Sequence, residues 1–295
     1  RESNWLEGLF ASHPPSHARV FANRAEVKRL GSPGGELGEA RYQKAIARLK
    51  RTKPAYKAYD EAQAALKEGK LDTALAKVNK AIKIEPKEAS FYSLRGEIKL
   101  TKDQGKAALK DLDRAVVLNP EYYRPLLVRG MARREVGALK GADRDLERSV
   151  AMLPTAEGYY GLGRVAQLSG RSDQAVGYFR KAATSQSQAG VMAAKQLARL
   201  DLKDNPSRYL KASLGLTQDG YLVVGVSNKA QVAVKSVRVV IGVPVSGGIR
   251  EKASYRLKQT LGPGRSARLR TDLGPMDGTT ARRYAAIVSD ARIAE

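Results

Sequence analysis

Few side chains in this sequence are typed and spaced for chemistry. His13 and His17 are its two histidines, and their separation of four residues is that of paired metal ligands on one helical face. Pro14 and Pro15 follow His13, and no Glu stands between the two histidines to activate a water. Pro15 suits the first turn of a helix, which places His13 ahead of that helix. The pair is therefore not expected to hold a metal. The absence of cysteine removes disulfides, thiol nucleophiles and thiolate metal sites. The glycine-rich run from Gly31 to Gly35 lacks the Lys-Ser/Thr ending of a phosphate-binding loop and reads as a turn between helices. Asp143 and Asp145, two apart on a predicted helix, point to different faces. No catalytic residue is assigned, and no cofactor or metal is expected in the chain itself.

Binding is better supported. Four sets of residues share the spacing i, i+3, i+7, i+10, which gathers each set on one side of a helix. They are Tyr56, Tyr59, Gln63 and Leu66; Ser90, Ser93, Glu97 and Leu100; Arg124, Leu127, Met131 and Arg134; and Glu157, Tyr160, Arg164 and Gln167. Tyr and Arg are among the types that dominate binding hot spots, and Arg grips carboxylates through paired hydrogen bonds. The candidate groove is Tyr56, Tyr59, Gln63, Glu97, Arg124, Leu127, Met131, Arg134, Tyr160 and Arg164. Leu127 and Met131 are expected as an apolar floor, with Arg124, Arg134 and Arg164 as donors around it. A peptide carrying apolar side chains and acidic groups, or a free carboxylate, would match both features.

The elements that present these sets are repeats. Pro86, Pro120 and Pro154 are spaced by 34 residues, and each closes a similar segment: KEGKLDTALAKVNKAIKIEP, KDQGKAALKDLDRAVVLNP and REVGALKGADRDLERSVAMLP, with LSGRSDQAVGYFRKAATSQS as a fourth. Gly69, Gly137 and Gly170 mark the turn inside three repeats, and Asp103 takes that position in the second. Small Ala74, Ala108, Ala142 and Ala175 are each followed four residues later by a large apolar Val78, Leu112, Leu146 or Phe179. Three further on stand Ala81, Ala115, Ser149 and Ala182. First helices carry a small contact residue at Ala62, Gly96, Gly130 and Gly163. Period and landmarks are those of the tetratricopeptide repeat, or TPR. Its first helices line the concave face, and the binding sets lie on those helices.

A capping helix is expected over 187–200, because a solenoid's last repeat exposes an apolar face unless something covers it. Residues 201–208 read as a linker with a helix-stopping Pro206. From Tyr209 the hydrophobic period becomes two. Strands are predicted over 221–228, 232–243, 254–261, 266–271 and 282–289, separated by Asp219-Gly220, Ser246-Gly247-Gly248, Gly262-Pro263-Gly264 and Asp277-Gly278. The expected fold class is multidomain α plus β, a TPR α-solenoid followed by a small β-sandwich. Asn228, the valines of 232–240 and the LGPG turn before an alternating strand resemble FxLYD-type sandwich modules.

The first fifty residues supply a second resemblance. LFASHPPSHARVFANR resembles the C-terminal edge of the catalytic domain of HtpX-like and BepA-like zinc metallopeptidases. The matching positions are Leu9, Phe10, Ala11, Ser12, His13, Pro14, Arg19 and Val20. GGELGEARYQKAIARL is similar to the linker that joins such domains to TPR tails. The expected organisation is a peptidase edge and linker over 1–50, a TPR array with its cap over 51–204, and a β-sandwich module over 205–295. The resemblance implies a periplasmic location and an upstream peptidase domain whose His-Glu-x-x-His motif and zinc precede Arg1. It also offers His13 two roles, as punctuation before a helix or as a group near the zinc cleft of the complete enzyme.

The net charge of +23 raises the question of nucleic acid. It is dispersed, +4 over residues 1–50, +10 over 51–204 and +9 over 205–295, with no dense basic run. Aromatic residues are 6%, too few for many stacking platforms. Specific nucleic-acid recognition is not expected. Peripheral attraction to an anionic lipid surface is compatible with the charge. The expected partner is a protein or peptide ligand. A stand-alone assembly adaptor is the alternative, and a basic solenoid binding nucleic acid ranks below both.

Overall fold

The computed structural model describes residues 16–31 and 39–294. His13, the stretch Leu9–Pro14 and most of the glycine-rich run after Gly31 lie outside the described residues. The chain divides between Pro54 and Ala55. In the first unit lie helix α1 (Ser16–Leu30) and the start of α2 (Glu39–Lys67), whose interior proline is Pro54. His17 is exposed on α1.

From Ala55 onward helices pair. The end of α2 is followed by α3 (Leu71–Ile84), then α4 (Ala89–Thr101) and α5 (Gly105–Leu118), α6 (Tyr123–Glu135) and α7 (Leu139–Met152), and α8 (Ala156–Leu168) and α9 (Ser172–Ala182). Each of α3, α5 and α7 ends two residues before its proline, as expected where the pyrrolidine disfavours helical backbone in its predecessor. Within each repeat the turn is left-handed: φ is +73° at Gly69, +78° at Gly137 and +74° at Gly170, and Asp103 adopts +59° in the same place. Close approach of paired helices depends on glycine. A Cβ on Gly130 would lie 2.6 Å from Leu146 Cγ, and one on Gly163 would lie 2.5 Å from Phe179 Cε1. The small and large landmarks of the sequence are thus contact partners, and the array is a TPR-type solenoid.

The repeats are also pinned by a polar pair between their helices. Arg95 clasps Asp111 with two hydrogen bonds (2.9 and 2.5 Å), and Arg129 clasps Asp145 likewise (2.8 and 2.8 Å). Lys99 and Arg133 add a third donor to each carboxylate at 2.7 Å. In the first repeat the charges are reversed, with Lys77 donating to Glu61 at 2.6 Å.

Helix α10 (Gln188–Asp201) caps the fourth repeat, as expected. The predicted linker is different in kind. Buried Asp201 accepts from the Tyr209 hydroxyl and the Asn205 amide at 2.8 Å each, and from Arg208 at 2.5 Å. Pro206 is buried and opens the short helix α11 (Pro206–Tyr209), which is the role its preset φ suits.

Two three-stranded antiparallel sheets follow. Strands β1 (Leu210–Leu216), β2 (Leu222–Asn228) and β5 (Ser266–Arg270) run in the order β1-β2-β5; β3 (Val234–Val245), β4 (Gly248–Arg256) and β6 (Ala285–Ile293) in the order β4-β3-β6. A one-turn helix, α12 (Gly278–Ala281), precedes β6. Both sheets contribute to one core, Leu222, Val224 and Val226 from the first and Val237, Val239 and Ile241 from the second. This is the expected sandwich, with two corrections. Strand β1 lies outside the predicted strands, and the strand expected over 254–261 is β4, which lies earlier. Asn228 is fully buried. Its amide donates to the carbonyls of Val232 (2.9 Å), Leu261 (2.9 Å) and Gly262 (3.1 Å), while its oxygen accepts from the Ala230 N–H at 2.9 Å. It ties the turn after β2 to the loop before β5.

The array and sandwich share their core. Phe179 and Ala182 of α9, Leu197 of α10, Leu202, and Leu210 and Val226 of the sandwich belong to one cluster.

Candidate functional site

The first helices of the repeats bring the predicted sets side by side. Between α2, α4 and α6 they enclose a cavity of about 290 Å³. It is lined by Tyr59 and Gln63 of α2, Ser90, Ser93 and Glu97 of α4, and Tyr122, Tyr123 and Arg124 at the start of α6. Packing fixes the rings: Tyr59 lies 5.1 Å from Phe91 between centroids, and Tyr122 meets Tyr123 edge-on at 5.9 Å. Burial, followed by the neighbouring Tyr122 and the Glu97 carboxylate, pushes the Tyr59 hydroxyl up to about 12. It stays a neutral donor, and it accepts from the Gln63 amide at 3.2 Å. Tyr56 meets Phe91 edge-on, and its hydroxyl donates to Glu88 at 2.9 Å.

Two of the expected ligand contacts need correction. Arg124 is not an uncommitted cation, because its Nη2 donates to Glu97 Oε1 at 2.6 Å across the repeat boundary. Leu127 is only 1% exposed and belongs to the inter-repeat core with Leu146 and Leu162. The next repeat covers it: a Cβ on Gly158 of α8 would lie 3.9 Å from Leu127 Cδ1. Met131 is half-buried at the edge of that core.

Further along, Arg134 and Arg164 face one another electrostatically. Burial first, and then the Arg164 guanidinium, lower the Arg134 pKa from its ordinary value. The carboxylate of Glu135 approaches Arg134 only to 4.0 Å. Both arginines are half-buried, and Tyr160 stands beside them, its ring 5.9 Å from Phe179. Two neighbouring cations, with Glu135 only loosely paired to Arg134, form a place where an anion gains from both.

Sequence reasoning assigned Ser93 to the inner face without weighting it, and missed Tyr122 and Tyr123. Ser93 is 2% exposed, and its Oγ has no hydrogen-bond partner. The Tyr pair had a readable signal, two adjacent aromatics at the start of the third repeat. Among the described residues no group of three His, Asp or Glu side chains is placed to hold a metal ion.

No protein-family model matches the chain. Its fold is similar to that of pilF from Pseudomonas aeruginosa, at 20% identity over 54% of this chain and 72% of that one, TM-score 0.49. MamA from Desulfovibrio magneticus RS-1 is similar at 19% identity over 50% and 84%, TM-score 0.44. The first TPR domain of Spaghetti (RPAP3), solved with the HSP90 peptide SRMEEVD, is similar at 24% identity over 40% and 95%, TM-score 0.39.

Proposed function

We propose that the chain binds an extended peptide segment of a partner protein along the inner face of its repeats. The observation that carries this reading is the preformed cavity of about 290 Å³ between the first three repeats, with half-buried Arg134 and Arg164 on the first helices of the third and fourth repeats. A segment spanning both would place an acidic group on the arginines. Replacing Arg134 and Arg164 together with Ala is expected to weaken such a peptide by roughly 2–4 kcal/mol. Thermal stability should hardly change, since the pair is repulsive in the free protein. Isothermal titration of an acidic peptide library, beside thermal unfolding of the double variant, checks both halves. Unchanged affinity would move the site to the β module, and a large loss of stability would make the arginines packing groups.

We further propose that this binding serves a periplasmic zinc metallopeptidase, with the repeats recruiting substrate to a tethered catalytic domain and raising its local concentration there. What supports it is the segment LFASHPPSHARVFANR and the order of edge, linker, repeats and β module. The zinc would belong to that upstream domain, with His13 as a candidate neighbour. The genomic sequence before Arg1 decides the point. A His-Glu-x-x-His motif there supports the peptidase, and its absence leaves an assembly adaptor.

A further inference from the structure

The cavity between the first three repeats differs in chemistry from the arginine pair. Its charged members, Glu97 and Arg124, are bonded to each other at 2.6 Å, so the site is nearly neutral. An anion entering it would meet a guanidinium already answered by a carboxylate, and a cation would meet the reverse. Each partner nevertheless keeps spare capacity: Arg124 has further N–H donors, and Glu97 has a second carboxylate oxygen. Ser93 also lines the cavity, and its Oγ is buried and without a hydrogen-bond partner. A buried hydroxyl left unsatisfied is destabilising, and a ligand group that reaches it through a small shift of the lining would remove that cost. The walls are the flat rings of Tyr59, Tyr122 and Tyr123.

A neutral, planar group carrying both a donor and an acceptor answers all of these features, and the peptide side chains of that kind are the carboxamides. We propose that this cavity takes an Asn or Gln side chain of the bound peptide. Its N–H₂ donates to Glu97, and its carbonyl accepts from Ser93 Oγ and Arg124 while the rings flank the amide plane. The proposal rests on the peptide-binding reading and adds a second specificity position to it: an uncharged amide toward the N-terminal repeats, an acidic group toward the third and fourth.

The test uses the full chain and blocked synthetic heptapeptides that differ at one central position, Gln, Glu or Ala, with an Asp near the C-terminus. Affinities come from titration, and NMR shifts locate the binding. The Gln peptide is expected to bind about five-fold or more tighter than the Glu and Ala peptides. Ser93→Ala should erase most of that margin while leaving the circular dichroism unchanged. Glu97→Gln should reverse the order of Gln and Glu, because it leaves Arg124 unpaired; a merely structural ion pair would weaken all three peptides alike. Peptides that shift groove resonances with Glu equal to or better than Gln in the unmodified protein would overturn the amide pocket and leave the groove standing. Peptides that shift no groove resonance would overturn both.

Discussion

Asp145 shows how much a single side chain holds. Its side chain is 7% exposed and receives three hydrogen bonds from Arg129 and Arg133. Corresponding positions in the four repeats carry Glu61 with Lys77, Arg95 with Asp111, Arg129 with Asp145, and Leu162 with Tyr178. Charge order inverts once and then gives way to an apolar pair, so the contact is kept while its chemistry changes. Removing one partner of a buried pair leaves an uncompensated charge, whereas replacing the whole pair by packed apolar groups is often neutral. Asp145→Ala is therefore expected to cost roughly 3–5 kcal/mol. Arg129→Leu, Arg133→Ala and Asp145→Tyr together, which copy the fourth repeat, should recover most of it. Urea unfolding of the two variants measures the difference. Asp103 is the other informative residue. It occupies the left-handed position with φ +59° where the sister repeats use glycine, and Asp tolerates that region at some cost. Asp103→Gly should raise stability by about 0.5–1 kcal/mol, read as an upward shift of the thermal midpoint.

Among elements, what the sequence revealed depends on how many independent signals fell on each. Every helix pair carried a turn residue, a small residue and a large apolar partner at fixed offsets, the first three also a terminating proline, and the helices stand where these place them. Strand β1 carried only Leu210, Ala212 and Leu214 alternating with Lys211, Ser213 and Gly215, without a β-branched residue. Strand β4 is a sheet edge with mostly exposed side chains, so no apolar alternation marks it. The groove was legible as a set of inner-face positions, but pairings across repeats were not. Glu97 meets Arg124 because neighbouring helices align them, and Leu127 is lost to the core because glycine lets α8 approach. In the sequence the junction after α10 reads as a linker because its polar residues look solvated, yet they satisfy one another. There burial raises the Asp201 pKa, but the Tyr209 hydroxyl, Arg208 and Asn205 outweigh it and hold the carboxyl below its usual 3.8. A depressed carboxyl stabilises the fold above its unfolded pKa, and that contribution fades as pH falls through the folded value. Asp201→Asn should thus remove part of the stability seen at neutral pH and flatten its decline below about pH 4. Thermal midpoints of both proteins between pH 7 and pH 2.5 give the comparison.

At the scale of the molecule, the shared core makes the β module part of the solenoid's end. Leu202 is 1% exposed and lies between the two, in one cluster with Ala198 of α10 and Leu210 of β1. It also borders a cleft of about 380 Å³ lined by Ala291 and Ile293 of β6. A solenoid is stabilised by its intrinsic repeat terms and by nearest-neighbour interfaces. Cap and sandwich are therefore expected to open as one cooperative unit, with the first repeats opening separately. Leu202→Ala creates a cavity at the joint and should cost roughly 2–5 kcal/mol. Native-state hydrogen exchange distinguishes the possibilities, because each amide reports the free energy of the opening that exposes it. Amides of α9, α10, β2 and β3 are predicted to share one opening free energy and to lose the same amount in the variant. Those of α4 and α5 should lose much less. If β2 and β3 kept their protection while α9 and α10 lost theirs, the sandwich would be an independent domain, and the groove could be isolated without it. If all four fell together, the position of the β module would be set by the repeat that carries Tyr160 and Arg164. A partner bound on the inner face would then always meet the sandwich at the same distance.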